Sequence, residues 1–402
     1  MAVTGSITTR FIDEKGVDLG KTLIEKDYLI SVYPNLLNQF DTPMLMTWGS
    51  NSNGLLGDNT VTSKSSPVQT IAYGANWKQV SSGYLNYTAA IKTDGTLWTW
   101  GQGTSGQLGD NTAVSKSSPV QTVAFGTNWK QVSCGFYCIL AVKTDGTLWG
   151  WGSNTSGQLG DNTGTSRSSP VQTVAFGTNW KQVSAGYKYT AAIKTDGTLW
   201  TWGDNSFGQL GNNTITNRSS PVQTVTFGTN WKQAAIGIYS MSAVKLDGTL
   251  WGWGWNITGE LGDNTSTARS SPVQTVAFGN NWKQVSCGSS LTAAVKNDNT
   301  LWCWGSGYSG MLGDNTSVNK SSPVQTVAFG TNWKQVSCLL YHCAAVKTDG
   351  TLWTWGTNNS GQLGDNTRTN RSSPVQTILY GNNWKSVSVG VGMTAAIKDG
   401  DF

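Results

Sequence analysis

The sequence predicts an all-β protein: a closed seven-bladed β-propeller carrying a short, non-repeating N-terminal arm. Three observations predict it. A unit of about 51 residues recurs seven times, apolar residues inside each unit alternate with a period of two, and the array starts and stops in the middle of a unit.

Three markers define the unit. The first Gly of Gly-Asp/Asn-Asn-Thr falls at Gly57, Gly109, Gly160, Gly211, Gly262, Gly313 and Gly364, an interval of 52 and then 51 five times. Ser-Ser-Pro ends at Pro67, Pro119, Pro170, Pro221, Pro272, Pro323 and Pro374. Asn-Trp-Lys places Trp77, Trp129, Trp180, Trp231, Trp282, Trp333 and Trp384. Pro-Val-Gln-Thr-Val and Trp-Lys-Gln-Val-Ser read as short strands. Ala-Ala-Ile-Lys, Thr-Asp-Gly and Thr-Leu-Trp-Thr-Trp read as a hairpin, with Asp94-Gly95 as its turn. Four short strands make one propeller blade, and nothing in the unit is periodic enough for a substantial helix.

The ends imply closure. The last unit stops at the hairpin turn, after Ala395-Ala396-Ile397-Lys398-Asp399-Gly400, without its outgoing strand. The first begins at Met44-Leu45-Met46-Thr47-Trp48-Gly49, which aligns with Thr96-Leu97-Trp98-Thr99-Trp100-Gly101 and is that missing strand. Residues 42–402 therefore read as the propeller, with one blade shared between 43–49 and 384–400. Sharing it removes two free sheet edges.

Residues 1–41 do not repeat. They carry four basic and six acidic side chains, a charge of −2, which leaves about +7 on the ring. Residues 23–30 could form a short helix or strand. Forty residues cannot build an independent core, yet the arm is rich in apolar side chains, among them Phe11, Ile12, Leu23, Ile24, Tyr28, Leu29, Tyr33 and Leu36. We read these as an anchor onto other structural proteins.

Composition narrows the function. Of 402 residues 37% are hydrophobic and only 12% charged, with 49 Gly and 21 Trp, which suits a turn-rich all-β chain and argues against disorder. The net charge of +5 comes without a Lys/Arg block, so nucleic acid is not expected as partner. No apolar run approaches the roughly 20 residues of a membrane span, and the first residues lack a secretory pattern. The six cysteines (Cys134, Cys138, Cys287, Cys303, Cys338 and Cys343) show no zinc or disulfide spacing, so reduced, buried thiols are expected.

No catalytic, metal or cofactor site is expected. His342 is the only histidine. Its neighbour Cys343 would point to the opposite face of a strand, which argues against a nucleophile pair. Asp94 and its equivalents sit in hairpin turns, and Asp58 and its equivalents in the Gly-Asp-Asn loops, a structural pattern rather than an asymmetric acid–base pair. Two rings of cations also follow from the repeat, one from Lys64 to Arg371 and one from Lys78 to Lys385. They read as a solvated rim or as a docking surface for an acidic partner.

Comparing units inside the chain shows which positions the blade leaves free. One variable stretch follows the Gly step and holds Tyr84, Tyr87, Tyr137, Tyr187, Tyr189, Tyr239 and Tyr341. The other follows Trp-Gly and holds Phe207, Trp255 and Tyr308. Both are connections. Rigid aromatics there suit recognition of a host protein or glycan; the other reading is that they line the channel or fill gaps between blades.

Val132-Ser133-Cys134-Gly135 and Trp149-Gly150-Trp151-Gly152-Ser153-Asn154-Thr155-Ser156-Gly157-Gln158-Leu159-Gly160 resemble the repeat of the regulator of chromosome condensation family. The resemblance covers residues 43–402 and implies a seven-bladed propeller. The family's activities range over nucleotide exchange on a small GTPase, chromatin binding and inhibition of a secreted β-lactamase. Exchange relies on insertions and acidic face loops that this chain lacks. The family's histidine position holds Tyr87, Cys138, Tyr189, Ser240, Leu291, His342 and Met393.

A compact arm followed by barely diverged repeats also resembles proteins carried by tailed bacteriophages. That implies a virion component (tail, fibre or capsid surface) made in the host cytoplasm, with the propeller displayed through its arm. The other expectation is a soluble cytoplasmic propeller that binds a host protein or glycan.

Overall fold

The structure, a computed structural model, describes residues 6–12, 18–25, 43–71, 76–123, 126–174, 177–225, 228–276, 279–327, 330–379 and 381–399. From residue 43 onward these form seven antiparallel four-stranded sheets. We number the blades by their innermost strands: Trp77–Ser82, Trp129–Cys134, Trp180–Ala185, Trp231–Ile236, Trp282–Cys287, Trp333–Cys338 and Trp384–Gly390. In blade 1 the sheet continues outward through Tyr87–Lys92, Leu97–Gly101 and Lys116–Gln121. Blade 7 joins the two ends of the array: Met44–Gly49 lies between Met393–Lys398 and Lys64–Gln69, with Thr47 opposite Ala395. In the arm, Ser6–Ile12 pairs antiparallel with Asp18–Glu25, so Leu23 and Ile24 lie on a strand rather than a helix.

The repeated motifs are the joints between blades. The third-strand tryptophans, such as Trp100, Trp151 and Trp202, are fully buried. Each indole N–H donates to a backbone carbonyl in the loop of the preceding blade: Trp100 to Leu55 at 2.9 Å, Trp151 to Gln107 at 3.0 Å, Trp202 to Gln158 at 2.9 Å. The loop can approach because its residue at that point is Gly. A Cβ on Gly109, whose φ is +66°, would lie 2.6 Å from the Trp151 indole nitrogen. The next two residues explain Gly-Asp-Asn-Thr. Asn111, like its six equivalents, takes a left-handed φ near +60°. The preceding Asp accepts from the Thr backbone N–H and hydroxyl, as Asp161 does from Thr163 at 3.1 and 2.7 Å.

A second joint runs along the axis. Inner strands leave an unpaired backbone edge, and the Gln of Trp-Lys-Gln-Val-Ser fills it. Gln131 donates to the Val183 carbonyl and accepts from the Val183 N–H, both at 2.8 Å. Gln79, Gln182, Gln233, Gln284 and Gln335 do the same to the next blade. Blade 7 has Ser386 in that place, so this clasp is missing between blades 7 and 1. There Val80 is 8% exposed, against 1% for Val132 and Val183.

One expectation is corrected. Cys338 and Cys343 are joined in a disulfide, because the last residue of the blade 6 inner strand stands directly opposite Cys343 on the second strand. The other four cysteines are free and buried.

Candidate recognition face

Antiparallel order decides where the variable stretches lie. In every blade the connection from first to second strand and that from third to fourth leave the same end of the ring. The second-to-third and fourth-to-first connections leave the other. Both variable stretches therefore share one end, a consequence that sequence reasoning could have drawn from alternation alone.

At that end six aromatic rings form an arc over blades 2, 3 and 4. Phe136 lies 4.7 Å from Tyr137 and 4.0 Å from Tyr187. Tyr187 lies 5.7 Å from Tyr239, and Phe207 lies 5.0 Å from Tyr239 and 4.6 Å from Trp255. All six are half-buried. Lys188 sits over Tyr187 at 5.4 Å, and Asp204 is held by Ser206 and Gln209 beside the arc. Burial, with Tyr187 and Asp204 nearby, raises the Tyr239 phenol above its ordinary pKa. Tyr137 has φ +58°, a left-handed backbone that costs a bulky residue on the order of 1 kcal/mol or more. Tyr308 and Tyr341 form a separate pair at 6.5 Å and are 64% and 47% exposed. Phe136 was not among the expected contact residues, although it occupies the same position as Tyr187.

Three expected contact residues are corrected, because the fold uses them internally. Tyr87 is buried and its hydroxyl donates toward the Gly135 and Cys138 carbonyls of blade 2, at 2.6 and 2.7 Å. Tyr189 makes the same bridge to Ser240 of blade 4 at 2.7 Å. His342 stands at this position in blade 6, with Nε2 3.0 Å from the Thr394 hydroxyl of blade 7. Tyr84 crosses the ring from blade 1 to blade 4, where its hydroxyl meets the Ile236 carbonyl at 3.3 Å. With Leu339 it plugs this end of the central channel. Of the anchor residues, Phe11, Ile12, Leu23 and Ile24 lie on the arm's two strands. Tyr28, Leu29, Tyr33 and Leu36 lie outside the described residues.

The buried cysteines, His342 and the turn carboxylates are engaged in structure. Burial pushes the Cys287 thiol up to about 11 and Cys138 to about 12, which leaves no thiolate at neutral pH. Burial lowers His342 to about 3. In the hairpin turns, hydrogen bonds from Thr147 and Thr249 hold Asp145 and Asp247 below the usual carboxylate range. In the Gly-Asp-Asn loops, Asp161 accepts from Asn154 and Thr163 on one oxygen and pairs with Arg167 at 3.1 Å on the other, so no lone pairs converge for a cation. Arg269 and Arg371 are paired with Asp263 and Asp365 in the same way, and Lys116 lies 3.8 Å from Asp110, so four of the seven cations of this ring are paired within their own loops. Among the described residues no group of His, Cys, Asp and Glu could hold a metal ion.

At the other end two lysine positions recur in every blade. Each second strand ends in a Lys, and in blades 1 to 6 it slots between two indoles; Lys143 lies 4.8 Å from Trp129 and 4.5 Å from Trp149. One residue before each axial Gln stands Lys78, Lys130, Lys181, Lys232, Lys283 or Lys334, and Lys385 precedes Ser386 in blade 7. Six residues separate Lys78 from Tyr84, so the channel between crown and plug is about 20 Å long at the usual strand rise. It encloses about 260 Å³.

Seven sheets joined in this way define a seven-bladed repeat propeller whose diversity is confined to one end. The RCC1-like domain model matches residues 44–397, and the chain belongs to that family. It is 32% identical over 339 residues to the ultraviolet-B receptor UVR8 of Arabidopsis thaliana, covering 82% of this chain and 77% of that one. It is 28% identical over 362 residues to the human E3 ubiquitin-protein ligase HERC2, covering 87% of this chain but 7% of HERC2. Human WBSCR16 has the same fold, with a TM-score of 0.80 at 21% identity, over 90% of this chain and 100% of that one. So does Prp20p of Saccharomyces cerevisiae, a protein with binding properties toward Gsp1p and histones, with a TM-score of 0.80 at 17% identity over 90% of this chain and 92% of that one.

Proposed function

We propose that the chain is a non-enzymatic binding propeller whose partner docks on the aromatic arc, with residues 1–41 attaching the ring to a larger assembly. The arc carries the reading. Phe136, Tyr137, Tyr187, Tyr239, Phe207 and Trp255 make continuous ring contacts on three adjacent blades, at the end where the repeats differ most. Half-buried Tyr and Trp give large contact area with few rotors to immobilise, the composition of binding hot spots. A protein partner is favoured, because Lys188 and Asp204 add opposite charges beside the rings and because the fold relative Prp20p binds proteins.

As the assembly we propose a tailed-phage virion, with a soluble cytoplasmic protein as the other reading. The virion rests on the regularity of the repeats and the apolar arm in the sequence, and the plant, animal and yeast relatives lend it nothing.

Mass spectrometry of purified particles tests the assembly; finding the chain only free and monomeric overturns it. For the face, Trp255→Ala and Tyr187→Ala should each weaken partner binding by about 2 kcal/mol, roughly 30-fold. Deleting residues 1–41 should leave that binding intact. Binding that survives both substitutions, or selectivity for glycans on an array, overturns the protein reading.

A further inference from the structure

At the end of the ring opposite the arc, each inner strand of blades 1 to 6 carries a lysine one residue before the Gln that lines the channel, and the wall behind it presents hydrogen-bond donors. Each axial Gln engages its carbonyl and one amide N–H with the next blade, as Gln131 does with Val183, which leaves a second amide N–H to give; in Gln284 the amide nitrogen also lies 3.3 Å from the Val285 carbonyl. Ser81, Ser133, Ser286, Ser337 and Ser388 accept a backbone N–H from the next inner strand at 2.9–3.1 Å, and each keeps its hydroxyl hydrogen to give. Among the described residues no charged side chain lines the lumen itself, neither Asp or Glu nor Lys.

At the mouth, Lys78, Lys130, Lys181 and Lys232 are exposed. Lys334 lies along the wall, its Nζ 3.4 Å from the Lys385 carbonyl, and Lys283 bends to Asn299 at 3.0 Å. Lys385 is paired with Asp399 at 2.6 Å. Like charges around one small opening repel one another, and a multivalent anion on the axis interacts at once with the exposed lysines of blades 1 to 4. The lysine ammonium is a compact point charge suited to phosphate.

We propose that this mouth binds a compact polyphosphorylated molecule, seated on the ring axis with one phosphoryl group in the lumen and the others among the lysines. A lumen of about 260 Å³ takes such a group but not a folded acidic domain. The Tyr84 plug stops a polymer from threading through. The site lies at the other end from the aromatic arc and stands whether or not the arc binds protein.

Isothermal titration of the full chain with inorganic tripolyphosphate, at about 0.1 M salt where the Debye length is about 10 Å, tests it. The expected result is saturable one-to-one binding that weakens as salt rises. Lys130→Ala/Lys181→Ala/Lys232→Ala should weaken it at least tenfold with the near-ultraviolet circular dichroism of the fold retained. Lys64→Ala/Lys320→Ala, at the opposite end, should leave it unchanged. Absence of saturable binding, equal loss in the two sets of variants, or binding of an oligonucleotide or poly-glutamate that tripolyphosphate does not displace overturns the proposal.

Discussion

Replacing Gln131 by Met isolates the axial clasp, because the side-chain stem and its packing are kept while both hydrogen bonds to Val183 are lost. A net contribution of about 0.5–1.5 kcal/mol per bond gives about 1–3 kcal/mol for the pair. The lumen is polar, and water there can reach the exposed Val183 groups, which points to the lower half, about 1.5 kcal/mol. The residues matched by the family model, 44–397, number roughly 350, and at about 2.1 cal/mol/K each they give an unfolding entropy of about 0.74 kcal/mol/K. The calorimetric midpoint of Gln131→Met should therefore fall by about 2 °C. The mirror experiment is Ser386→Gln, which restores the missing clasp between blades 7 and 1. Its two new bonds are offset by about 1.5 kcal/mol of side-chain ordering, so gain and cost nearly cancel and the midpoint should move by less than about 1 °C. A Gln131→Met midpoint within 0.5 °C of the parent would refute the view that these amides hold neighbouring blades together.

Two further measurements follow from buried groups. His342 is held neutral by burial, with its pKa near 3 against 6.5 for the ordinary group, so the unfolded chain binds the extra proton between those values. Stability should be full above about pH 6.5 and decline toward pH 3 by up to about 1.4 kcal/mol per pH unit. His342→Gln should flatten the part of that slope between pH 6.5 and 4.5, where few carboxylates titrate, as read by urea midpoints at several pH values. An unchanged slope there would sink the assignment. The Cys338–Cys343 disulfide closes a loop of about six residues, for which chain-entropy arguments give about 2 kcal/mol. Reduction should lower the melting midpoint by about 3 °C in the parent and not at all in Cys338→Ser/Cys343→Ser.

The repeat made the ring legible. Met44–Gly49 is a third strand without a hairpin partner, and Met393–Lys398 is a second strand without its sequel, so their pairing could be read before any coordinates. The fate of the aromatics could not, because Tyr84, Tyr137 and Tyr187 look alike as letters in one variable stretch. The first unit is one residue longer, and the extra residue lies between Ser82 and Tyr87, where Asn86 takes a φ of +40°. In that connection Tyr84 lies across the lumen. The 52-residue interval was the only trace of it. Tyr87 and Tyr189 stood at the family's histidine position, which bridges to the next blade, so their burial was within reach. The disulfide became visible only through strand register, since a spacing of five means nothing until Cys338 and Cys343 are known to face each other.

Near-identical units make two unlike ends. Residues that hold the blade recur in nearly every unit, and so do the crown lysines, although Lys78 and its equivalents bond to little that the fold requires. At the other end the aromatics are concentrated on blades 2 to 4. A surface with approximate sevenfold symmetry offers no single orientation to an asymmetric protein, because a contact made at one blade is offered equally at the next. It suits a ligand small enough to sit on the axis and meet all blades together. A face that has lost the symmetry can present one blade group and not the others, which fixes the register of a protein partner. The distribution of repetition and divergence within this one chain thus supports both proposals, an axial ligand at the lysine end and a protein partner at the aromatic end.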